Sequence, residues 1–145
     1  MNNPAVIVDI DGTISDLTHR LQYITGDTKD WKSFFANVTD DLPMENMLML
    51  VEAIGMAYHI ILCSGRSEVA REATIEWLHK YEVMWDELYM RKDGDHREDC
   101  VVKEEFLKQI QEKYNVIAAI DDRKQVVNMW RKNGILCLQC AEGNF

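Results

Sequence analysis

The sequence is poor in the features that mark several large classes of protein. It has no surplus of basic charge: 16 Lys and Arg stand against 25 Asp and Glu, a formal net charge of −9. Gripping long nucleic acid through its phosphates needs a basic face, so the charge balance argues against that mode of binding. Recognition of a nucleic-acid end or a nucleotide by a few local Arg and Lys residues is not. No apolar run is long enough or free enough of charge to span a bilayer. The segment from Met1 to Ala5 is short, uncharged in its side chains and leads directly into a strand-like run, which does not read as a signal peptide. The four cysteines, Cys63, Cys100, Cys137 and Cys140, are scattered and form no disulfide framework, so a reducing, cytoplasmic setting is expected. Cys137 and Cys140 spell C-x-x-C. No second pair stands at zinc spacing, however, and a spacing of three on a strand puts the two on opposite faces. Proline is confined to Pro4 and Pro43. There is no internal repeat and no low-complexity stretch.

What is present is a regular alternation of strand and helix patterns. The length of 145 residues suits one domain spanning 1–145 around a single core. Apolar runs at Ala5–Ile10, His59–Cys63, Glu87–Met90, Val116–Ile120 and Ile135–Gln139 read as strands. Between them, Met44–Met56, Glu68–Tyr81, Lys103–Tyr114 and Lys124–Lys132 carry apolar residues three and four apart, the period of a helix with one buried face. This alternation predicts an α/β fold, a central parallel sheet with helices on both faces. In such sheets functional residues gather at the carboxyl ends of the strands. Three of the five runs end in polar motifs. The polar segment from Ser15 to Asp41, with its aromatic group Trp31, Phe34 and Phe35, breaks the alternation. It is expected to be a small insertion after the first strand, with one short helix and with Pro43 marking the return to the core. The aromatic group reads as a small satellite core under the insertion, or as a platform for stacking a base.

The first motif is Asp9-Ile10-Asp11-Gly12-Thr13. On a strand Asp9 and Asp11 point to one side. Two carboxylates so close repel unless a cation joins them, and Mg²⁺ prefers oxygen ligands. Alone, the pair could equally cap a turn. The second motif is Ser64-Gly65-Arg66. A hydroxyl and exposed backbone N–H groups at a strand-to-helix turn suit a phosphate oxygen, and Arg66 adds a forked, permanently charged contact. Alone, it would read as an N-cap serine and a surface arginine. Lys103 stands at the start of a helical run, where the helix dipole disfavours a cation, so it is a candidate for holding an anion. Asp121-Asp122 ends a buried strand, and adjacent buried acids are costly unless a cation accepts them. Asp122 is the candidate direct metal ligand and Asp121 a supporting one, with Arg123 as a local counter-charge.

These four motifs, in this order and on this scaffold, resemble the haloacid dehalogenase superfamily of phosphohydrolases over nearly the whole chain. The resemblance implies a Rossmann-like fold. It implies Asp9 as nucleophile and Asp11 as general acid and base, with the Asp11 backbone carbonyl on Mg²⁺. It further implies Thr13 and Ser64 on the transferred phosphoryl group, Lys103 stabilising its charge, and Asp122 and Asp121 holding the metal. A carboxylate nucleophile divides hydrolysis into two displacements through an acyl phosphate.

A narrower resemblance rests on Arg20 within Thr18-His19-Arg20, on Met90-Arg91, and on Gly94-Asp95-His96-Arg97-Glu98-Asp99. It continues through Val101-Val102-Lys103-Glu104-Glu105 to Ala119-Ile120-Asp121-Asp122-Arg123 and Met129-Trp130-Arg131. These look like the 3′-phosphatase domain of phage-type polynucleotide kinase–phosphatases, which implies catalytic importance for Arg20, Arg66 and Asp99. The segment Ser15–Asp41 matches poorly beyond Arg20. The phosphate loop of the kinase half, G-x-x-x-x-G-K-[ST], is absent, so no kinase activity is expected, and a separate kinase or ligase is the expected partner. The expected substrate is a 3′-phosphorylated nucleic-acid end. The acidic total keeps a nucleoside monophosphate or another small phosphate ester as the alternative. A non-catalytic binding module is a further reading, disfavoured because Asp9, Asp11, Lys103 and Asp122 are all intact. Arg20, Arg66, Arg91, Arg97, Lys103 and Arg123 fall in or beside the motif loops and are expected to line one basic rim, unless Arg91 and Arg97 merely pair with Asp93, Asp95 or Asp99.

Overall fold

The protein is described by a computed structural model covering residues 2–144. Strand β1 is Pro4–Val8, and its alternating side chains feed two separate cores. Val6 and Val8 face one side of the sheet, and Ala5 and Ile7 face the other. Ile60 and Leu62 against Ile61 and Cys63 repeat the alternation on the longer strand β4, His59–Ser67. Period-two alternation with both faces apolar is what a sheet covered on both sides requires.

Strands β5 (Glu87–Arg91), β6 (Asn115–Asp121) and β7 (Cys137–Gln139) complete a five-stranded sheet in the order β5-β4-β1-β6-β7. Every pairing in it is parallel. The first face packs Val51 of helix α2 (Glu45–Gly55) with Trp77 and Leu78 of α3 (Arg71–Lys80). The second packs Leu107 and Ile110 of α4 (Asp99–Gln111) with Val126, Val127 and Trp130 of α5 (Lys124–Lys132). The fold is therefore the expected α/β arrangement of a parallel sheet between two helical layers. The chain runs from β1 outward to β4 and β5, then returns past β1 to β6 and β7. This reversal leaves a crevice at the carboxyl ends of β1, β4 and β6, where the polar motifs lie. Cys137 joins the second core and Cys140 packs against the first, so the C-x-x-C pair does straddle the sheet.

Several boundaries differ from expectation. Strand β4 runs on through Ser64-Gly65-Arg66 to Ser67, with its pairing to β5 irregular between Ser64 and Ser67, so this motif lies in a bulged strand end rather than in a strand-to-helix turn. Strand β1 stops at Val8, because the backbone N–H groups of Thr13, Ile14 and Ser15 all turn back to the Ile10 carbonyl (3.0–3.1 Å). Asp9 follows the strand directly, its N–H still donating to the Ile120 carbonyl at 3.0 Å, while Asp11 lies beyond it at the start of the turn. Helix α4 begins at Asp99, a full turn before Lys103. Asp99 in the first turn suits the helix dipole, and the lysine stands one turn further in. Strand β7 starts at Cys137, two residues late, after Asn133 closes α5 and Gly134 takes a left-handed turn (φ +79°).

The Ser15–Asp41 segment is bracketed by the two-residue strands β2 (Ser15–Asp16) and β3 (Leu42–Pro43), which pair antiparallel. It holds the short helix α1 (Trp31–Ala36) and 3₁₀ turns at Thr18–Tyr23 and Val38–Asp40. The Asp30 side chain caps α1 by accepting from the Ser33 N–H at 3.0 Å. Phe34 and Val38 are buried, and Phe35 packs on the first core. No helix among the described residues is long and apolar enough to cross a membrane.

Candidate active site

Asp9 is 5% exposed and both its carboxylate oxygens are engaged. Lys103 Nζ donates to Oδ1 at 2.8 Å, and Thr13 Oγ1 donates to Oδ2 at 3.1 Å. Lys103 is 1% exposed and also donates to Asp121 Oδ2 at 3.0 Å. A helical side chain leans toward the helix N-terminus, which carries Lys103 back from the second turn of α4 to the strand ends. Trp130 Nε1–H donates to the same Asp121 oxygen at 3.3 Å, and the Arg123 N–H donates to its other oxygen at 3.2 Å. Oxygens of Asp9, Asp121 and Asp122 lie within 4.8 Å of one another. Burial first, then the neighbouring Asp121 charge, push Asp9 well above the usual carboxylate range despite Lys103. Asp122 is also raised, chiefly by burial. Burial opposes the Lys103 charge, but Asp121, Asp9 and Asp99 outweigh it and keep the ammonium form. Three carboxylates facing one ammonium leave two negative charges uncompensated, which one divalent cation would cancel. The all-oxygen donor set fits Mg²⁺. Gly12 makes room for this cluster: at φ +80°, a Cβ there would collide with the Asp122 carboxylate.

Asp11 belongs to a different network. Its carboxylate stands outside the Asp9, Asp121 and Asp122 cluster, and two arginines hold it. Arg66 Nη2 donates to Asp11 Oδ1 at 2.7 Å and Arg20 Nη2 donates to it at 3.0 Å. Burial alone would raise the Asp11 pKa, but the two guanidinium groups outweigh it and hold the group below the usual carboxylate range. Its side chain is still 23% exposed, toward the crevice.

Both arginines are fully buried, and the residue that compensates them, Asp41, was not among the sequence candidates. Asp41 accepts from Arg20 Nε (2.7 Å) and Nη2 (2.7 Å), from Arg66 Nη2 (3.0 Å) and from Ser15 Oγ (2.6 Å). His19 Nε2 lies 2.7 Å from Asp41 Oδ1. The Trp77 indole N–H donates to the Asp41 backbone carbonyl at 2.8 Å. Asp41 closes the insertion, so the Ser15–Asp41 segment supplies one arginine and the shared counter-ion beneath Asp11. An acid at the end of a polar segment carries no local signal. Only its placement against two buried arginines reveals it.

The second motif closes the crevice on the β4 side. Ser64 is buried, and the Arg66 N–H donates to Ser64 Oγ at 3.1 Å. Gly65 is where β4 meets Asp99: a Cβ there would collide with the Asp99 carboxylate. Asp99 in turn receives Arg91 Nη2 at 3.2 Å, with Arg123 Nη1 at 3.6 Å and Lys103 Nζ at 3.8 Å. The expected single basic rim is split. Arg20, Arg66 and Lys103 lie buried beneath the crevice, while Arg91 and Arg123 stand at its edge. Arg97 on Asp95 (2.8 Å) and Arg91 on Asp99 are the pairs that the ion-pair reading anticipated, and Arg97 is also tied to Glu105. Beside Gly65 and Arg91 opens a cleft of about 790 Å³, walled by α1 of the insertion and the Arg91–Arg97 loop.

Residues 3–145 match the family model of the polynucleotide kinase PNKP phosphatase domain. The chain is similar to a component of a solved Pnkp1/Rnl/Hen1 RNA repair complex, at 37% identity and a TM-score of 0.87, over 99% of this chain and 44% of that one. It is 33% identical, over 131 residues, to an Autographa californica nuclear polyhedrosis virus protein named as a putative bifunctional polynucleotide kinase/RNA ligase, covering 88% of this chain and 18% of the viral protein. The chain thus spans less than half the length of these relatives. A haloacid dehalogenase-like hydrolase from Streptococcus pneumoniae shares the fold at 14% identity and a TM-score of 0.62, over 92% of this chain and 82% of that one. With the carboxylate cluster at the β1 and β6 ends and the arginine-held Asp11 beside it, this chain belongs to the polynucleotide kinase PNKP phosphatase-domain family and is a phosphatase of the haloacid dehalogenase fold.

Proposed function

We propose that this phosphatase is Mg²⁺-dependent and removes the 3′-phosphate from nucleic-acid ends, with Asp9 as nucleophile. The observation that carries the mechanism is the division of labour between two neighbouring carboxylates. Asp9 is set among a lysine and two further acids, and Asp11 is gripped by two arginines. Asp9, Asp121 and Asp122 would hold Mg²⁺, which when bound offsets the charge of the phosphoryl oxygens and of the three acids.

A carboxylate oxygen of Asp9 attacks phosphorus as the bond to the sugar oxygen breaks, giving an aspartyl phosphate. Asp11 delivers its proton to the departing oxygen. In the resting site Asp11 is ionised. The negative charge of the incoming phosphate raises the proton affinity of Asp11 as it arrives, and Asp11 takes up a proton from solvent. In the second half, Asp11 takes a proton from water, whose oxygen displaces Asp9 from phosphorus and frees inorganic phosphate. Lys103 stays protonated throughout and stabilises negative charge on the phosphoryl group. Thr13 and the Ser64-Gly65-Arg66 stretch of β4 would hold the remaining phosphoryl oxygens. Asp99 positions Lys103, Arg91 and Arg123 rather than touching the reacting atoms.

The polynucleotide specificity is supported by the family match and by relatives named for RNA repair and RNA ligation. The same relatives support a ligase as a functional partner. The test is phosphate release with Mg²⁺ from a 3′-phosphorylated oligonucleotide, its 5′-phosphorylated counterpart and a panel of mononucleotides. Selective release from the 3′ end is expected, and a preference for mononucleotides would refute the polynucleotide role while leaving the Asp9 chemistry in place.

A further inference from the structure

The cleft beside the crevice is unused by the chemistry above. One wall is α1 of the insertion, which presents Trp31 and Phe35, and the floor includes Val69 and Ala73 at the start of the α3 side. Trp31 is 47% exposed although it belongs to an aromatic group. Phe35 is stacked on it at 6.0 Å with an interplanar angle of 24°, and Phe34 meets it edge-on at 5.5 Å. Phe34 is buried and anchors the group, so Trp31 is held in place with a large part of its surface in water. Val69 is 63% exposed on the same cleft. An ordered, half-exposed indole over an apolar floor is a costly surface to leave in water.

Three features select the occupant. The first is continuity. Gly65 and Arg91 line the cleft, Arg91 Nε donates to the Gly65 carbonyl at 2.9 Å, and Gly65 abuts Asp99 of the crevice. A chain with its end in the crevice passes directly into the cleft. The second is charge. Lys32 and Lys92 line the cleft on opposite walls, and neither takes part in an ion pair among the described residues. Lys29 Nζ sits 5.8 Å from the Trp31 ring centroid. On a molecule of net charge −9, lysines gathered at one mouth favour an anionic chain. Two acids line the same wall: Asp95 is paired with Arg97, and Asp93 stands against the two lysines, which outnumber it. The third is chemistry. A flat aromatic surface with cations beside it matches an unpaired base followed by a backbone phosphate. A duplex keeps its bases stacked inside and does not offer this.

We infer that this cleft is a subsite for the single-stranded stretch of nucleic acid that precedes the terminal phosphate, with a base stacked on Trp31 and backbone phosphates met by Lys32 and Lys92. The inference rests on the 3′-end reading and adds to it where the substrate strand lies.

The test compares wild type, Trp31→Ala and the Lys32→Ala/Lys92→Ala double variant on a 3′-phosphorylated single-stranded hexanucleotide, in ribo and deoxy form, and on p-nitrophenyl phosphate. Stacking contributes roughly 1–3 kcal/mol per base, which corresponds to a rise of about five- to 150-fold in the hexanucleotide KM for Trp31→Ala. The double variant should raise the same KM and flatten its salt dependence. For both variants kcat should stay within about twofold, and p-nitrophenyl phosphate kinetics should not change, which also verifies folding. A wild type that prefers the hexanucleotide, with KM unmoved in both variants, overturns the subsite and keeps the 3′-end reading. A wild type that shows no preference for the hexanucleotide overturns both. Binding offers a separate readout. Unphosphorylated hexanucleotide should quench tryptophan fluorescence in wild type and not in Trp31→Ala; equal quenching in the two places the strand elsewhere.

Discussion

Asp9 and Asp11 are two residues apart and in opposite electrostatic conditions. Burial and the other acids raise Asp9, whereas two guanidinium groups hold Asp11 low. If Asp9 is the nucleophile, Asp9→Asn abolishes turnover. Residual phosphate release above background in a purified variant would refute that role. Asp41 is the less obvious residue, because it balances the arginines that position Asp11. Asp41→Asn should cut the rate on a 3′-phosphorylated oligonucleotide by roughly 100-fold, the scale of one general acid. The loss on p-nitrophenyl phosphate should be much smaller, since its leaving group departs without a proton. Equal losses on both substrates would indicate a structural role alone. Cys140 gives the contrast. Its thiol makes only weak contacts, the nearer at 3.5 Å to Thr13 Oγ1, so Cys140→Ala should retain activity within about threefold.

Between elements, the insertion is bound to the core through its last residue. The indole of Trp77 on α3 is fully buried and donates to the Asp41 carbonyl. Replacing it with Phe leaves a buried carbonyl without its donor, a cost of about 1–3 kcal/mol. Urea unfolding of Trp77→Phe should show that loss as a lower midpoint with little change in slope. Helix α4 makes the complementary point. By starting at Asp99 it places an acid in its first turn and a lysine one turn on, so one helix end supplies both the crevice cation and the group that steadies the rim arginines. Lys103 is therefore not the first residue of its helix, as its apolar pattern alone suggests. Asp99 and Cys100 look like loop residues until the dipole and Gly65 are considered together.

At the scale of the molecule, a strongly acidic protein concentrates uncompensated negative charge at one buried point. A divalent cation bound there binds the folded state alone and must stabilise it. At 100 times its dissociation constant the gain is about 2.7 kcal/mol. Mg²⁺ should therefore raise the thermal midpoint of the wild type, EDTA should reverse the rise, and Asp122→Asn should abolish most of it. An unchanged midpoint in wild type across millimolar Mg²⁺ would contradict the assignment of Asp9, Asp121 and Asp122 as the metal site.

The sequence by itself determined the alternation of strands and helices and the arrival of polar motifs at strand ends, because period and burial are local properties of the chain. The alternation of strand and helix patterns already predicted a sheet covered on both faces. The sequence also marked Asp121 and Asp122, together with Asp9 and Asp11, as candidate metal ligands, since adjacent acids at the end of an apolar run are costly to bury without a cation. Tertiary structure alone decided which charges meet. Asp11 pairs with Arg66, 55 positions away, and both depend on Asp41 at the end of an insertion whose polar composition resembles any surface loop. Ion pairs between distant residues leave no period in the sequence. They are fixed only when the packing of Trp77, Val38 and Phe34 brings that segment down onto the strand ends. The aromatic group shows the same limit: nothing in its spacing separates Phe34, which is core, from Trp31, which faces the cleft.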